Sequence, residues 1–268
     1  MNCRTRSYAL REIARITRKS DAGNFGYTRS VMQKFLLNIV IFNCTMKRPY
    51  IILNSAMSLD GRIGGKNERI RFSNQQDKER VHKLRTNVDA IMIGINTVLI
   101  DDPHLTVKYA KSNKEEDKNP VRIVVDGSLR TPVNARVLND SAKTIIAVSG
   151  SGAEKNKDKI KFLGEKDNIE VIVTESNDND NNRVNLQNLL EKLYAAGIKK
   201  ILLEGGGTLN RSMLEGNFVD EIFITVAPVF IGEGVNLIVG NLDKKINLKF
   251  MDVLVLEDRV VLHYLVLQ

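Results

Sequence analysis

From Pro49 onward, short apolar runs alternate with stretches of helical period. Residues 50–53, 90–93, 121–125, 144–148, 169–173 and 200–203 read as strands. They are brief and rich in Ile and Val, as strands covered on both faces tend to be. Ser73 followed by Gln76 has capping-box spacing and predicts a helix to about Arg85, with Val81 and Leu84 on one face. Residues 186–196 predict a second helix, and Gly197 is a natural C-terminal cap. Strand–helix–strand alternation implies a largely parallel sheet with flanking helices. Near the end the period changes. In residues 220–227, Ile222, Ile224 and Val226 alternate with Glu221, Phe223 and Thr225. Residues 251–256 and 260–267 flank a turn at 257–259 and predict an antiparallel hairpin. The expected class is mixed α/β. The polar runs 111–119 and 175–183 are expected to be loops.

Composition changes the picture mainly at the N-terminus. The chain has 268 residues, 43% of them hydrophobic, enough for a sizeable core, and a net charge of +8. That charge first suggests a nucleic-acid binder. Its placement argues otherwise. Residues 1–45 carry eight basic side chains against Glu12 and Asp21, so most of the excess lies there and residues 46–268 are close to neutral. Both cysteines, Cys3 and Cys44, fall in the same stretch, which speaks against a disulfide framework or a cysteine-rich zinc site. The histidines are scattered at 82, 104 and 263 and suggest no metal cluster. No apolar run approaches the roughly 18 residues of a membrane span. The expected division is a basic extension, 1–45, disordered or upstream of the true start, and one domain, 46–268. A cytoplasmic location is expected, with neither nucleic acid nor membrane as partner.

Polar and glycine clusters follow several of the expected strands. Leu203-Glu204-Gly205-Gly206-Gly207-Thr208 is the most informative. A strand ends in a carboxylate, then three glycines lead into a helix start at Thr208. Glycine admits close approach of a ligand, and a helix N-terminus offers N–H groups and partial positive charge to an anion. The stretch reads as a phosphate cradle, although an ordinary strand-to-helix turn would also place a glycine there. Thr97 and Asp101 are four apart and share one helical face, where they bind a ligand jointly or merely cap a short helix. Val125-Asp126-Gly127-Ser128 sits at the C-terminal end of a strand, where ligands of open α/β sheets bind. Asp60-Gly61 is at least a turn. Arg85 suits phosphate, and His82 is expected on a solvated face.

Asn54-Ser55-Ala56-Met57-Ser58-Leu59-Asp60-Gly61-Arg62-Ile63 resembles the opening of the riboflavin-biosynthesis reductase family. The resemblance continues through Val81-His82-Lys83-Leu84-Arg85, Thr97, Asp101-Asp102-Pro103, Val121 to Asp126, and Glu204 to Asn210. It implies a dihydrofolate-reductase-like fold and NADPH as cofactor, with the stand-alone archaeal type as the nearest likeness. That type reduces the ribosyl side chain of 2,5-diamino-6-ribosylamino-4(3H)-pyrimidinone 5′-phosphate. The zinc-deaminase motifs that precede the bacterial reductase domain are not found here. The alternatives are the deaminated pyrimidine, or another NADPH reductase of this fold. The resemblance assigns cofactor contacts to Thr97, Asp101, Val125, Asp126, Gly127, Ser128, Gly205, Gly206, Gly207 and Thr208. It assigns substrate contacts to Arg85 and Lys108 at the phosphate end, Leu105, and Glu204 at the ring. Asp60 is expected near the reacting carbon. No metal is needed, and a homodimer is the expected assembly.

Overall fold

The computed structural model describes residues 47–66, 70–107, 119–175 and 182–267. Residues 1–45 and Lys108 lie outside them, as does most of both polar runs expected to be loops. From Arg48 onward the chain forms one unit.

The strands are β1 (Tyr50–Ser58), β2 (Arg62–Gly64), β3 (Ala90–Gly94), β4 (Val121–Val125), β5 (Thr144–Ser149) and β6 (Ile169–Thr174). They continue with β7 (Lys200–Gly205), β8 (Glu221–Ala227), β9 (Val235–Asn236), β10 (Asn247–Leu256) and β11 (Arg259–Leu267). The helices are α1 (Gln75–Arg85), α2 (Ile95–Asp101), α3 (Gly150–Lys155), α4 (Lys157–Gly164), α5 (Leu186–Ala195) and α6 (Gly207–Glu215). Among the described residues, nine strands form one sheet in the order β10-β11-β8-β1-β7-β3-β4-β5-β6. The strands from β8 to β6 are mutually parallel. Of these nine only β11 runs against the others; it pairs antiparallel with both β8 and β10 and closes the sheet with the expected hairpin.

Burial explains the apolar runs. Ile51, Ile52 and Leu53 of β1, Ile91, Met92 and Ile93 of β3, and Ile201, Leu202 and Leu203 of β7 are at most 3% exposed. Both faces of these central strands are therefore covered, which is why they read as unbroken apolar runs. The strands extend further than their apolar residues. β1 continues through Asn54 to Ser58 because β8 supplies ladder partners from Phe223 to Ala227. The first helix is capped one residue later than expected. Asn74, not Ser73, is the N-cap, its Oδ1 accepting from the Asp77 N–H at 2.9 Å. Gly197 follows α5 with φ of +94°, in the role expected of it. The short helices α3 and α4 carry no periodic signal strong enough to be foreseen.

The connection order shapes a long cleft. The chain leaves β1 and reaches β3 through α1. It steps outward through β4, β5 and β6, then returns to insert β7 between β1 and β3. Strand order reverses there, and the C-terminal ends of β1, β7 and β3 open onto a crevice.

Candidate active site

A cavity of about 1140 Å³ lies along these strand ends. It exceeds the ~300–1,000 Å³ of a single small-ligand pocket, so it has room for a dinucleotide and a second molecule.

One half of it is built on glycine. Gly205 and Gly206 have φ of +82° and +103°, a left-handed conformation that side chains rarely adopt. They turn the chain out of β7 and into α6. Helix α6 has Gly206 as N-cap and no capping side chain, so its first N–H groups are not taken by a cap. Beside them, Thr97 Oγ1 donates to the Gly205 carbonyl at 3.4 Å. A Cβ on Gly207 would meet the Asn236 carbonyl oxygen at 2.3 Å, so glycine is required there for packing. A Cβ on Gly206 would meet only Thr97 Oγ1, at 3.2 Å. The space next to Gly206 is thus a cradle of backbone N–H groups bounded by one hydroxyl, and it fits a pyrophosphate.

The other half is ionic. Arg85, at the end of α1, donates from Nε and Nη2 to the two oxygens of Glu204 at 2.7 and 2.6 Å, and from Nη1 to the Thr106 carbonyl at 3.0 Å. Both side chains are mostly buried, at 15% and 13% exposure. Burial pulls the Arg85 pKa down. The charge and hydrogen bonds of Glu204 outweigh it, so the pKa ends above the ordinary value. The expectation put these residues at opposite ends of a substrate; the structure joins them in a bidentate pair.

The remaining expected residues divide. Thr97, Asp101, Leu105, Val125, Gly127, Ser128, Gly206, Gly207 and Thr208 line the cavity with Arg85 and Glu204. Asp126, Gly205 and Asp60 do not. The buried Asp126 carboxylate accepts from the Thr131 N–H and hydroxyl, both at 2.7 Å, and so shapes the loop after β4. Asp60 closes a turn. It accepts from Ser58 Oγ at 2.5 Å and from the N–H groups of Gly232 and Ile231 at 2.7 and 3.1 Å. The Ser58 hydroxyl bond and these backbone bonds hold its pKa down at about 2. Its carboxylate is engaged by the loop before β9 rather than offered to the cavity. His82, expected on a solvated face, lines the cavity and is half-buried. Sequence reading did not single out Asn54, Asp77, Arg130 or Arg183, which also line it. Asn54 and Asp77 are polar residues at positions that the helix and strand patterns assign to the interior, the one signal that marks them. Among the described residues there is no His, Cys, Asp and Glu group suited to a metal. No helix there is long and apolar enough to cross a membrane.

Comparison with known proteins agrees with this architecture. The chain is 46% identical over 185 residues to the 2,5-diamino-6-ribosylamino-4(3H)-pyrimidinone 5′-phosphate reductase of Methanothermobacter thermautotrophicus, covering 69% of this chain and 80% of that one. It is 43% identical over 191 residues to the reductase of the same name from Archaeoglobus fulgidus, covering 69% and 83%. Among solved structures it superposes on the Saccharomyces cerevisiae riboflavin biosynthesis reductase Rib7 with a TM-score of 0.65 at 21% identity, over 88% of this chain and 99% of that one. Acinetobacter baumannii RibD gives 0.68 at 24% identity, over 88% and 62%. These two bear on the fold, which is dihydrofolate-reductase-like. Residues 49–262 match the RibD C-terminal domain, and the chain belongs to that family of riboflavin-biosynthesis reductases.

Proposed function

We propose that this protein uses NADPH to reduce 2,5-diamino-6-ribosylamino-4(3H)-pyrimidinone 5′-phosphate at its ribosyl carbon, giving the ribitylamino product. The observation that carries this reading is the meeting of two unlike groups in one cavity. The Gly206 cradle suits a dinucleotide pyrophosphate, and the Arg85–Glu204 pair suits an anionic, amino-bearing ring compound. The relatives at 43–46% identity bear the name of this activity.

The cofactor supplies hydride; the chain's residues supply position and charge. The N–H groups at the start of α6 would hold the pyrophosphate, with Thr97 and Asp101 beside it. Val125, Gly127 and Ser128 would line the path toward the adenosine end. Arg130 lines the cavity beyond Ser128, 53% exposed. A guanidinium there favours a 2′-phosphate and hence NADPH over NADH. In the substrate, the sugar ring opens to an imine, hydride adds to its carbon and a proton to its nitrogen. Glu204, oriented by Arg85, retains lone pairs to accept from the pyrimidine's amino groups. Arg85 commits three of its five N–H groups to Glu204 and Thr106, leaving others for a phosphate oxygen. Leu105 lines the cavity and is buried; Lys108 would add a second cation. Asp60 is assigned the turn that carries β2, not a contact with substrate.

The assembly we propose is a homodimer through the outer hairpin. Strand β10 is exposed along nearly its whole length, with Phe250 at 56% and Val255 at 65%. An apolar edge strand of this kind calls for a covering partner.

The deciding experiment follows NADPH consumption with the diamino compound and its deaminated counterpart side by side. The diamino compound should be turned over with the higher kcat/KM. Turnover of neither would overturn the reading.

A further inference from the structure

Helix α1 carries a carboxylate with no task in the reading above. Asp77 is fully buried and lines the cavity. Its Oδ1 accepts from Arg80 Nε and from Thr225 Oγ1, each at 2.9 Å. Its Oδ2 is closed off from solvent and has no hydrogen-bond partner. A buried charged acceptor left unmatched is expensive, so a structural role alone does not account for the second oxygen. Arg80 balances the charge through Oδ1. Its Nη2 also lies 2.9 Å from Oδ1 and reaches Asn54 Oδ1 at 2.8 Å and Thr225 Oγ1 at 3.2 Å. The carboxylate is thus oriented by α1 and β8, with one oxygen left over. Among the described residues, two carboxylates keep a buried unpartnered oxygen, Asp77 and Asp126, and only Asp77 lines the cavity.

Register places this group on the substrate side. Leu53 of β1 pairs with Leu203 of β7, so Asn54 and Glu204 each follow that pair by one residue on adjacent strands. Both line the cavity. Asn54 is bonded to Arg80, Arg80 to Asp77, and Glu204 to Arg85 one turn and a half further along the same helix.

We propose that Asp77 is a specificity-determining residue. Its Oδ2 accepts a hydrogen bond from the exocyclic amino group at C2 of the pyrimidine, with Arg80 and Thr225 as positioning residues. The inference rests on the proposed function and deepens it. An ionised carboxylate only accepts. An amino group at C2 satisfies it. An oxo group at C2 sets lone pairs against lone pairs at an oxygen closed off from solvent. A site built around one hydrogen bond rejects the analogue that lacks it much more strongly than an apolar pocket rejects a change of size. The two pyrimidines of this reaction type, diamino and deaminated, differ at that substituent.

Asp77→Asn is close to isosteric and places an amide where the acceptor was. Steady-state kinetics should be measured for both compounds, and each should also be titrated calorimetrically without cofactor. The unaltered protein should prefer the 2-amino compound at least tenfold. Asp77→Asn should narrow that ratio at least tenfold, mainly through KM of the 2-amino compound. A purely structural role would lower both activities alike and leave the ratio unchanged, which would overturn the proposal. Should Asp77→Asn fail to fold, Thr225→Val removes one of the groups that orient Asp77, and an unchanged ratio there overturns it equally. If the unaltered protein reduces neither compound, the reductase reading falls while the titration still decides. Tighter binding of the 2-amino compound, erased by Asp77→Asn, upholds the role of Asp77; equal binding of the two compounds overturns it.

Discussion

At the scale of single residues, the Arg85–Glu204 pair is the firmest ionic contact of the cavity. Two nearly parallel hydrogen bonds fix both side chains, and a lysine at 85 would keep the charge but lose the fork. Arg85→Ala should raise KM for the phosphorylated substrate about tenfold or more, since a charge-assisted contact contributes ~1.5–3 kcal/mol. The rise should be smaller for the dephosphorylated compound; equal rises would mean that Arg85 only orients Glu204. The same substitution strands a mostly buried carboxylate, so the thermal midpoint should fall as well. Asp60 allows a test through pH. Its folded pKa, about 2, lies below the ordinary 3.8. The lowered value means that its stabilisation is complete above about pH 4 and is lost as pH falls from there through about 2. Unfolding midpoints of the unaltered protein and of Asp60→Asn should therefore differ by a constant amount near neutrality and converge toward pH 2. A gap that persists at pH 2 would rule out the carboxylate as its source. The phosphate role of Arg85 is expected from its guanidinium chemistry and from the resemblance, and the ring contact of Glu204 from the resemblance alone. Their pairing is not, because nothing in residue spacing reports that two positions 119 apart touch.

At the scale of elements, the glycine turn between β7 and α6 is the most legible feature. Its sequence implied a strand, a tight turn and a helix start, and the structure has Lys200–Gly205 followed by Gly207–Glu215. The three glycines nevertheless do different work. Gly205 and Gly206 provide the positive φ, and Gly207 makes room for the Asn236 carbonyl. Gly206→Val should cut NADPH affinity about tenfold or more, ~1.4 kcal/mol or above, in a protein whose circular dichroism remains native. Unchanged fluorescence titration in such a folded variant would remove this turn from the cofactor site. Strand ends were less legible. β10 begins at Asn247, four residues before its expected start, because Leu267 of β11 offers it a ladder partner. Hydrogen bonding to a neighbour, not side-chain hydrophobicity, decides where such a strand stops.

At the scale of the whole molecule, the exposed outer edge of the sheet, β10, is the surface the proposed dimer would cover. If β10 forms the dimer contact, replacing Val253 and Val255 with lysine should convert a dimer to a monomer by light scattering with the fold intact. A dimer that survives the change, or an unaltered protein that is already monomeric, would remove this contact. The N-terminal boundary is open to a second test. Arg48 donates through both terminal nitrogens to Asp220 at 2.8 Å, and the Asp220 carboxylate also accepts from the Ile51 N–H. The reductase domain is therefore tied from Arg48 onward. A chain beginning at Met46 should fold and reduce substrate with the kinetics of the full protein. Aggregation or loss of activity would show that residues 1–45 contribute to the domain.

Local order determined much of this protein. Apolar runs too short for anything but covered strands, a cap before α1, Gly197 after α5 and the glycine turn are each written in consecutive residues, so the class and the order of the main strands could be read directly. The tertiary structure decided the rest, because it depends on strand order. Inserting β7 between β1 and β3 puts Glu204 within reach of Arg85 and beside Asn54. The Ser58–Asp60 turn is drawn toward Gly232, away from the cavity. Folding α1 over β1 and β8 buries Asp77 against Thr225, 148 residues away. An acidic residue in the first turn of a helix normally faces water and favours the helix dipole. Only the packing of that turn onto the sheet makes Asp77 a buried acceptor that lines the cavity.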